Sequence, residues 1–448
     1  MSSTGAVVKQ GVEAAFSKAE LDARIAAARK RLVDAGIDVF IVTGPENIFY
    51  LTGQQTPGYY TFQALLLPVD AEPHFVVRQL ELNNMVANTF LANVHSYPDG
   101  ADSVSFTVDL IQRLGWQSKR IAIDERGWFL SIAVYKALLA RLGTLRDGAG
   151  LIEQLRAVKS PAEIAAIRKA ATYVDAGMKA GLGAMRAGAT ENDVVATMIS
   201  AAIAAGSEYL GMEPLMSSGP RSGVPHGTWR RRRIENGDPV FYEMAAAHDR
   251  YHAALMRSAW LGEPPDEAKR MMDTCLAALD AALAAVKPGN TCEYVHRACQ
   301  AVVDRNGYTD AFRKRTGYSS GISFAPDWGE WQVLTLYEGV KTSLRPGRVF
   351  HIPPALRVYG TFTVGVSETA LVTESGCEQL GTFPRALAVL CAVRAAHDPA
   401  LRLSRTRLPS ARARIAAKII GVASRVPRVD ETGRSREPVN CSSSLCCS

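Results

Sequence analysis

Gly237-Asp238-Pro239-Val240-Phe241-Tyr242-Glu243, followed by Asp249-Arg250-Tyr251-His252 and then Met256-Arg257-Ser258, is the stretch from which the rest of the chain can be ordered. Residues 240–244 and 252–261 are rich in apolar and aromatic side chains and read as two adjacent strands. Helical spacing follows over 266–286 and 292–306, and extended segments return over 349–372. Upstream, Ser160-Pro161 with Glu163 makes a helix start in which Pro occupies the first turn, and long helices are expected over 161–186 and 190–205. Helices alternating with paired strands describe an α+β domain over 151–387.

Residues 1–150 read differently. A helix over 17–35 stands behind Ser17, a possible cap, and buried strands are expected at 37–43, 64–68, 74–78 and 120–124. Gly44-Pro45-Glu46-Asn47 reads as the turn after the first strand, and helices are expected over 102–114 and 128–142. This alternation indicates an α/β domain. From 388 to 448 an Arg-, Ser- and Pro-containing tail is expected to be disordered.

The chain has 448 residues and a formal net charge of +7, enough length for two ordinary domains. Eleven arginines lie from Arg385 onward, so the excess sits in the tail and the body is near neutral. The Arg230–Arg233 run has no aromatic platform beside it, which argues for a solvated or dimer surface rather than nucleic-acid binding. Cys275, Cys292, Cys299, Cys377 and Cys391 are scattered singly, without paired metal-ligand spacing. No apolar run suggests a membrane span and no secretory signal is evident, so a cytoplasmic protein is expected.

Further landmarks are Ser218-Gly219-Pro220-Arg221-Ser222, Pro225-His226-Gly227, Gly317-Tyr318, Leu344-Arg345-Pro346-Gly347 and Ser367-Glu368-Thr369-Ala370-Leu371-Val372-Thr373. With them, the chain resembles the creatinase/prolidase superfamily of pita-bread hydrolases. The resemblance implies a creatinase-like N-terminal domain, a pita-bread catalytic domain and a homodimer. Its metal-dependent members hold two divalent ions with two aspartates, a histidine and two glutamates. Carried onto this sequence, those positions become Glu243, Ala254, Tyr318, Pro353 or Pro354, and Glu368. Two carboxylates do not make a two-metal cage, so no metal and no cofactor is expected.

Arg315-Thr316-Gly317-Tyr318, Gly321-Ile322-Ser323-Phe324, Phe350-His351 and above all Pro326-Asp327-Trp328-Gly329-Glu330 are similar to motifs of the ectoine hydrolases, which open a cyclic amidine. That resemblance implies a small-molecule substrate, ectoine or hydroxyectoine, and Glu243 as a nucleophile forming a covalent intermediate. A protonated amidine carbon is already electrophilic, so a carboxylate can attack it without a Lewis acid. His226, His252 and Glu368 are the expected partners in catalysis, while Tyr318, Asp327, Trp328 and Glu330 are expected to contact substrate. Tyr50 and Arg78 are candidate contacts across a subunit boundary. The alternatives are a salt-bridge role for Glu243, a core role for His252 and a packing role for Trp328. For the whole protein they are a creatinase-type amidine or guanidine hydrolase, an Xaa-Pro dipeptidase and an inactive ligand-binding relative.

Overall fold

A computed structural model of the chain describes residues 12–312 and 314–391. The N-terminal part is a mixed six-stranded sheet in the order Asn93–Tyr97, His74–Arg78, Ala64–Pro68, Val39–Val42, Ile121–Ile123, Arg146–Asp147. Ser17 caps the helix Lys18–Asp34 by accepting from the Glu20 N–H at 3.2 Å. The expected turn at Gly44–Asn47 is instead the start of a helix, Pro45–Thr52. Pro45 stands at the first helical position, where its missing N–H costs no hydrogen bond.

At the junction Ser160 and Glu163 form a complete capping box, each side chain accepting from the other's backbone N–H. The helix Pro161–Ala184 follows, then Glu191–Ala205. Together they back a long hairpin, Pro239–His248 paired with Tyr251–Leu261. Gly177 sits where the helix crosses closest; a Cβ there would lie 2.6 Å from Met244 Sδ.

The hairpin is longer than the sequence suggests. Ala245-Ala246-Ala247 has helical propensity, yet its full run of ladder partners makes it strand. Asp249 and Arg250 turn the chain with φ of 47° and 64°, the left-handed pair that a two-residue hairpin loop requires. Arg250 tolerates this because its guanidinium is held 3.8 Å above the Tyr209 ring and its Nε donates to Gln55 Oε1 at 2.8 Å.

Period-2 alternation gives the hairpin two faces. Val240, Tyr242, Met244, Ala246, Ala253 and Leu255 join the core beneath the helices. Phe241, Ala245, Ala254 and Met256 face the other way, toward Trp328 and Ala355. A five-stranded sheet (Thr335–Leu336, Gly317–Ser319, Val349–Ile352, Glu368–Val372, Cys377–Gln379) and the hairpin Ala355–Val358 with Phe362–Gly365 complete the catalytic part.

The expected tail begins later than 388, because Ala388–Leu390 pairs in parallel with Ala259–Leu261. Its remainder, 392–448, lies outside the described residues. No helix among the described residues is long and apolar enough to cross a membrane.

Candidate active site

Glu243 lies mid-strand, directly opposite Met256, on the hairpin face turned toward Trp328. It is 8% exposed, and among the described residues no hydrogen bond holds its carboxylate. Burial pushes its pKa up to about 7, against the pull of Lys314 and Arg357. Lys314 is itself pushed down to about 8 by burial and then by Arg357. Arg357 enters from Ala355–Val358, two residues beyond Ala355 and therefore on the same strand face. His226 sits with φ 55° in a loop docked on that hairpin, where Gly360 N–H donates to Gly223 C=O at 3.3 Å. Burial lowers its pKa, and so do Arg357 and Lys314, while Asp327 opposes them. The structure thus brings Glu243, His226, Lys314 and Arg357 together.

Tyr318 adjoins the same carboxylate. Burial first, and then the Glu243 charge, hold its hydroxyl protonated. Its oxygen accepts from Trp328 Nε1 at 2.9 Å and lies 2.9 Å from His351 Nδ1, and His351 Nε2 lies 2.7 Å from Ser367 Oγ. Burial drives the His351 pKa to about 3, so the ring is neutral. With Trp328 Nε1–H and His351 Nδ1–H both donating to the Tyr318 oxygen and the Ser367 hydroxyl donating to Nε2, the hydrogen-bond pattern is satisfied and the Tyr318 proton is left for a further partner. Asp327 braces the loop, its Oδ1 accepting from the Trp328 and Gly329 N–H groups.

Five expected site residues lie elsewhere. Glu368 is turned away from Glu243: Arg257 Nη2 donates to its Oε1 at 2.9 Å, and the charges that act on it are Arg257, Arg385 and Asp175. The residue before it, Ser367, takes the inward place. His252 lies four residues further along the ladder, opposite Ala247, roughly 13 Å from the Glu243 level at strand rise. Its Nδ1 meets the Arg250 C=O at 2.9 Å and its Nε2 accepts from the Gly211 N–H at 3.1 Å, so backbone uses both nitrogens. Glu330 pairs with Arg156 at 2.7 Å and Lys159 at 2.8 Å in the interior. Tyr50 is 6% exposed and packs beneath the Arg24 guanidinium. Arg78 is tied to Asp99 on the N-terminal sheet.

His252→Ala strands the Gly211 N–H and opens a cavity. The expected result is a loss of roughly 2–4 kcal/mol in chemical denaturation with turnover per folded molecule within a few-fold of wild type. A large fall in kcat at unchanged stability would return His252 to the chemistry.

Sequence reasoning missed Lys314 and Arg357, and it had His351 and Ser367 only as parts of the Phe350-His351 and Ser367–Thr373 landmarks, without a role at the site. Lys314 is hidden in the basic run 313–315, which looks solvated, and Arg357 is visible only as the second residue after Ala355 in an alternating strand. A separate cavity of about 410 Å³ opens between Glu46, Asp124, Trp128, Asp327 and Trp331; it borders the Asp327 loop without reaching Glu243.

Residues 24–158 match the creatinase/prolidase N-terminal domain, and residues 165–374 match metallopeptidase family M24. The ectoine hydrolase of Halomonas elongata is 31% identical over 397 residues, spanning 84% of this chain and 98% of that protein. The chain belongs to the M24 family. An uncharacterized hydrolase/peptidase of Sinorhizobium fredii is 32% identical, again over 84% of this chain and 98% of its own. Among solved structures, the dipeptidase PepE from Mycobacterium ulcerans superposes with a TM-score of 0.73 at 26% identity, covering 84% of this chain and all of that one. A prolidase from Thermococcus sibiricus, at 23% identity and a TM-score of 0.76 over 83% and 99% of the two chains, shares the fold. This M24 protein is therefore a hydrolase with a creatinase-type N-terminal domain and a pita-bread catalytic domain.

The family name implies a metal pair, and the residues present do not fit one. Ala254 stands in an apolar cluster with Ala245, Met256 and Trp328, Tyr318 is engaged by Trp328 and His351, and Glu368 is engaged by a guanidinium. Among the described residues no group of three or more His, Cys, Asp and Glu could hold a metal ion.

Proposed function

We propose that this M24 hydrolase opens a C–N bond of a small cyclic amidine, ectoine or hydroxyectoine, through the Glu243 carboxylate and without a metal. One observation carries the reading: a buried carboxylate at the centre of the hairpin, unclaimed by any hydrogen bond among the described residues and poised near neutrality, with uncharged residues at the neighbouring ligand positions. The likeness to an ectoine hydrolase along nearly that protein's whole length supports it.

In this proposal a Glu243 oxygen bonds to the amidine carbon. A ring C–N bond then breaks, its electron pair going to the departing nitrogen, which takes the Tyr318 proton. Water attacks the resulting adduct, its oxygen becoming the amide carbonyl of the product while Glu243 leaves as carboxylate. A proton from that water returns to Tyr318, whose hydroxyl His351 orients. His226 is neutral at pH 7 and positioned at the mouth, where it can accept the water's other proton and pass it to solvent. The proposal also takes the protein to be a cytoplasmic homodimer.

The test is proton NMR of ectoine with chelator-treated protein. Conversion to an acetylated diaminobutyrate, undiminished by chelation, is expected. A protein inert toward ectoine but active on an Xaa-Pro dipeptide after Mn²⁺ addition would favour the dipeptidase reading, which the likeness to PepE supports.

A further inference from the structure

The charged groups around Glu243 are unpaired. Two other buried acids of the catalytic part are matched to cations: Arg156 and Lys159 hold Glu330, and Arg257 holds Glu368. Among the described residues neither Lys314 nor Arg357 makes a hydrogen bond or an ion pair, and Arg357 Nε is buried without any partner. Lys314, Arg357 and Glu243 act on one another's ionisation yet do not close to contact. A gap therefore separates two cations from one carboxylate.

Two cations facing one anion leave an excess positive charge in a half-buried place, which is costly unless something negative fills it. The strand face fixes where that something sits. Arg357 shares its face with Ala355, which packs on Met256, the ladder partner of Glu243. The Gly223 backbone lies against the turn of the same hairpin, where a Cβ would meet Thr361 N at 2.5 Å, so the His226 loop closes one side.

We infer that Lys314 and Arg357 form the anchor for a substrate carboxylate, and that the site takes small zwitterions whose scissile C–N group then falls on the Glu243 side. This deepens the function proposed above and rests on it for the identity of the scissile group. Anchoring gives orientation as well as affinity: a ring pinned at its carboxylate presents one amidine carbon to Glu243. Arg357 supplies the planar fork suited to a carboxylate, and Lys314 supplies a point charge beside it.

Two matched pairs of probes test the inference by titration calorimetry on the full-length protein: ectoine against its decarboxylated ring, and L-proline against pyrrolidine. In wild type the carboxylate-bearing member of at least one pair binds tenfold or more tighter, and Arg357→Gln and Lys314→Gln each collapse that preference. Arg357→Lys restores part of it, and thermal melts show that the variants are folded. With ectoine as substrate, Arg357→Gln raises KM at least tenfold while kcat changes less. Equal binding within both pairs, no binding of any probe, or a preference that survives both Gln substitutions overturns the inference. If ectoine is not opened but proline is still preferred over pyrrolidine through Arg357, the proposed function falls and the anchor stands.

Discussion

Glu243→Gln abolishes turnover, lowering kcat/KM by on the order of 10⁴-fold or more, and leaves a folded protein that melts higher than wild type at pH 8. The loss follows from the proposed role, since an amide oxygen is too weak a nucleophile to replace a carboxylate. The gain follows from burial. A carboxyl raised to about 7 prefers its proton in the folded state, so ionising it destabilises the fold. That cost is absent below the ordinary carboxyl range, grows as pH climbs toward 7, and is complete above it, on the order of 3 kcal/mol. Glutamine carries no such cost, so the melting curves of variant and wild type converge near pH 4 and separate by pH 8. For wild type, kcat/KM rises with pH up to about 7 as the nucleophile ionises. Chelator-treated Glu243→Gln protein that still turned over ectoine would remove the nucleophile assignment.

Arg257→Met is expected to destabilise the catalytic domain by roughly 3–5 kcal/mol, lowering its melting temperature by about 10 °C or more. Arg257 is 1% exposed and donates to the backbone carbonyls of Met256, Ser367, Phe383 and Pro384 as well as to Glu368. Removing it strands those carbonyls and leaves a carboxyl buried. Glu368→Gln should behave quite differently. Burial already raises the Glu368 pKa to about 7 despite Arg257, so a neutral amide that keeps the acceptor oxygen costs little. Turnover within a few-fold of wild type is expected. A Glu368→Gln protein of normal stability with no activity would place Glu368 back among the reacting groups.

The contrast between Glu243 and Glu368 marks where the sequence stops being legible. Both are acids in apolar strands with family landmarks on either side, and both read as site residues. A strand's faces alternate residue by residue, so a shift of one position exchanges inside for outside. Spacing from distant landmarks does not resolve one residue, and the structure turns Ser367 inward and Glu368 toward Arg257. Local signals carried further: the Ser160–Glu163 capping box, the helices on either side of the hairpin, and the pairing of residues 240–244 with the following strand all appear as read. Asp327 and Trp328 also stand at the site, one bracing the loop and the other donating to Tyr318. Lys314 and Arg357 come from separate segments, and only the folded sheet brings their charges to bear on Glu243, while the neutral His351 reaches the same place through Tyr318.

The ion cluster of Arg156, Lys159 and Glu330 bears on how separable the two domains are. Arg156 and Lys159 lie at the end of the stretch that leads out of the N-terminal sheet, while Glu330 closes the loop carrying Asp327 and Trp328. Gly321 lets that carboxylate in, since a Cβ there would lie 2.4 Å from it. A chain cut just before the capping box would keep the acid and lose both of its cations, and the substrate-side loop would lose its footing with them. The seam between the domains is therefore not a place to cut: the connector is a structural part of the active-site wall, and its Ile152 and Leu155 pack into a hydrophobic cluster that both domains share.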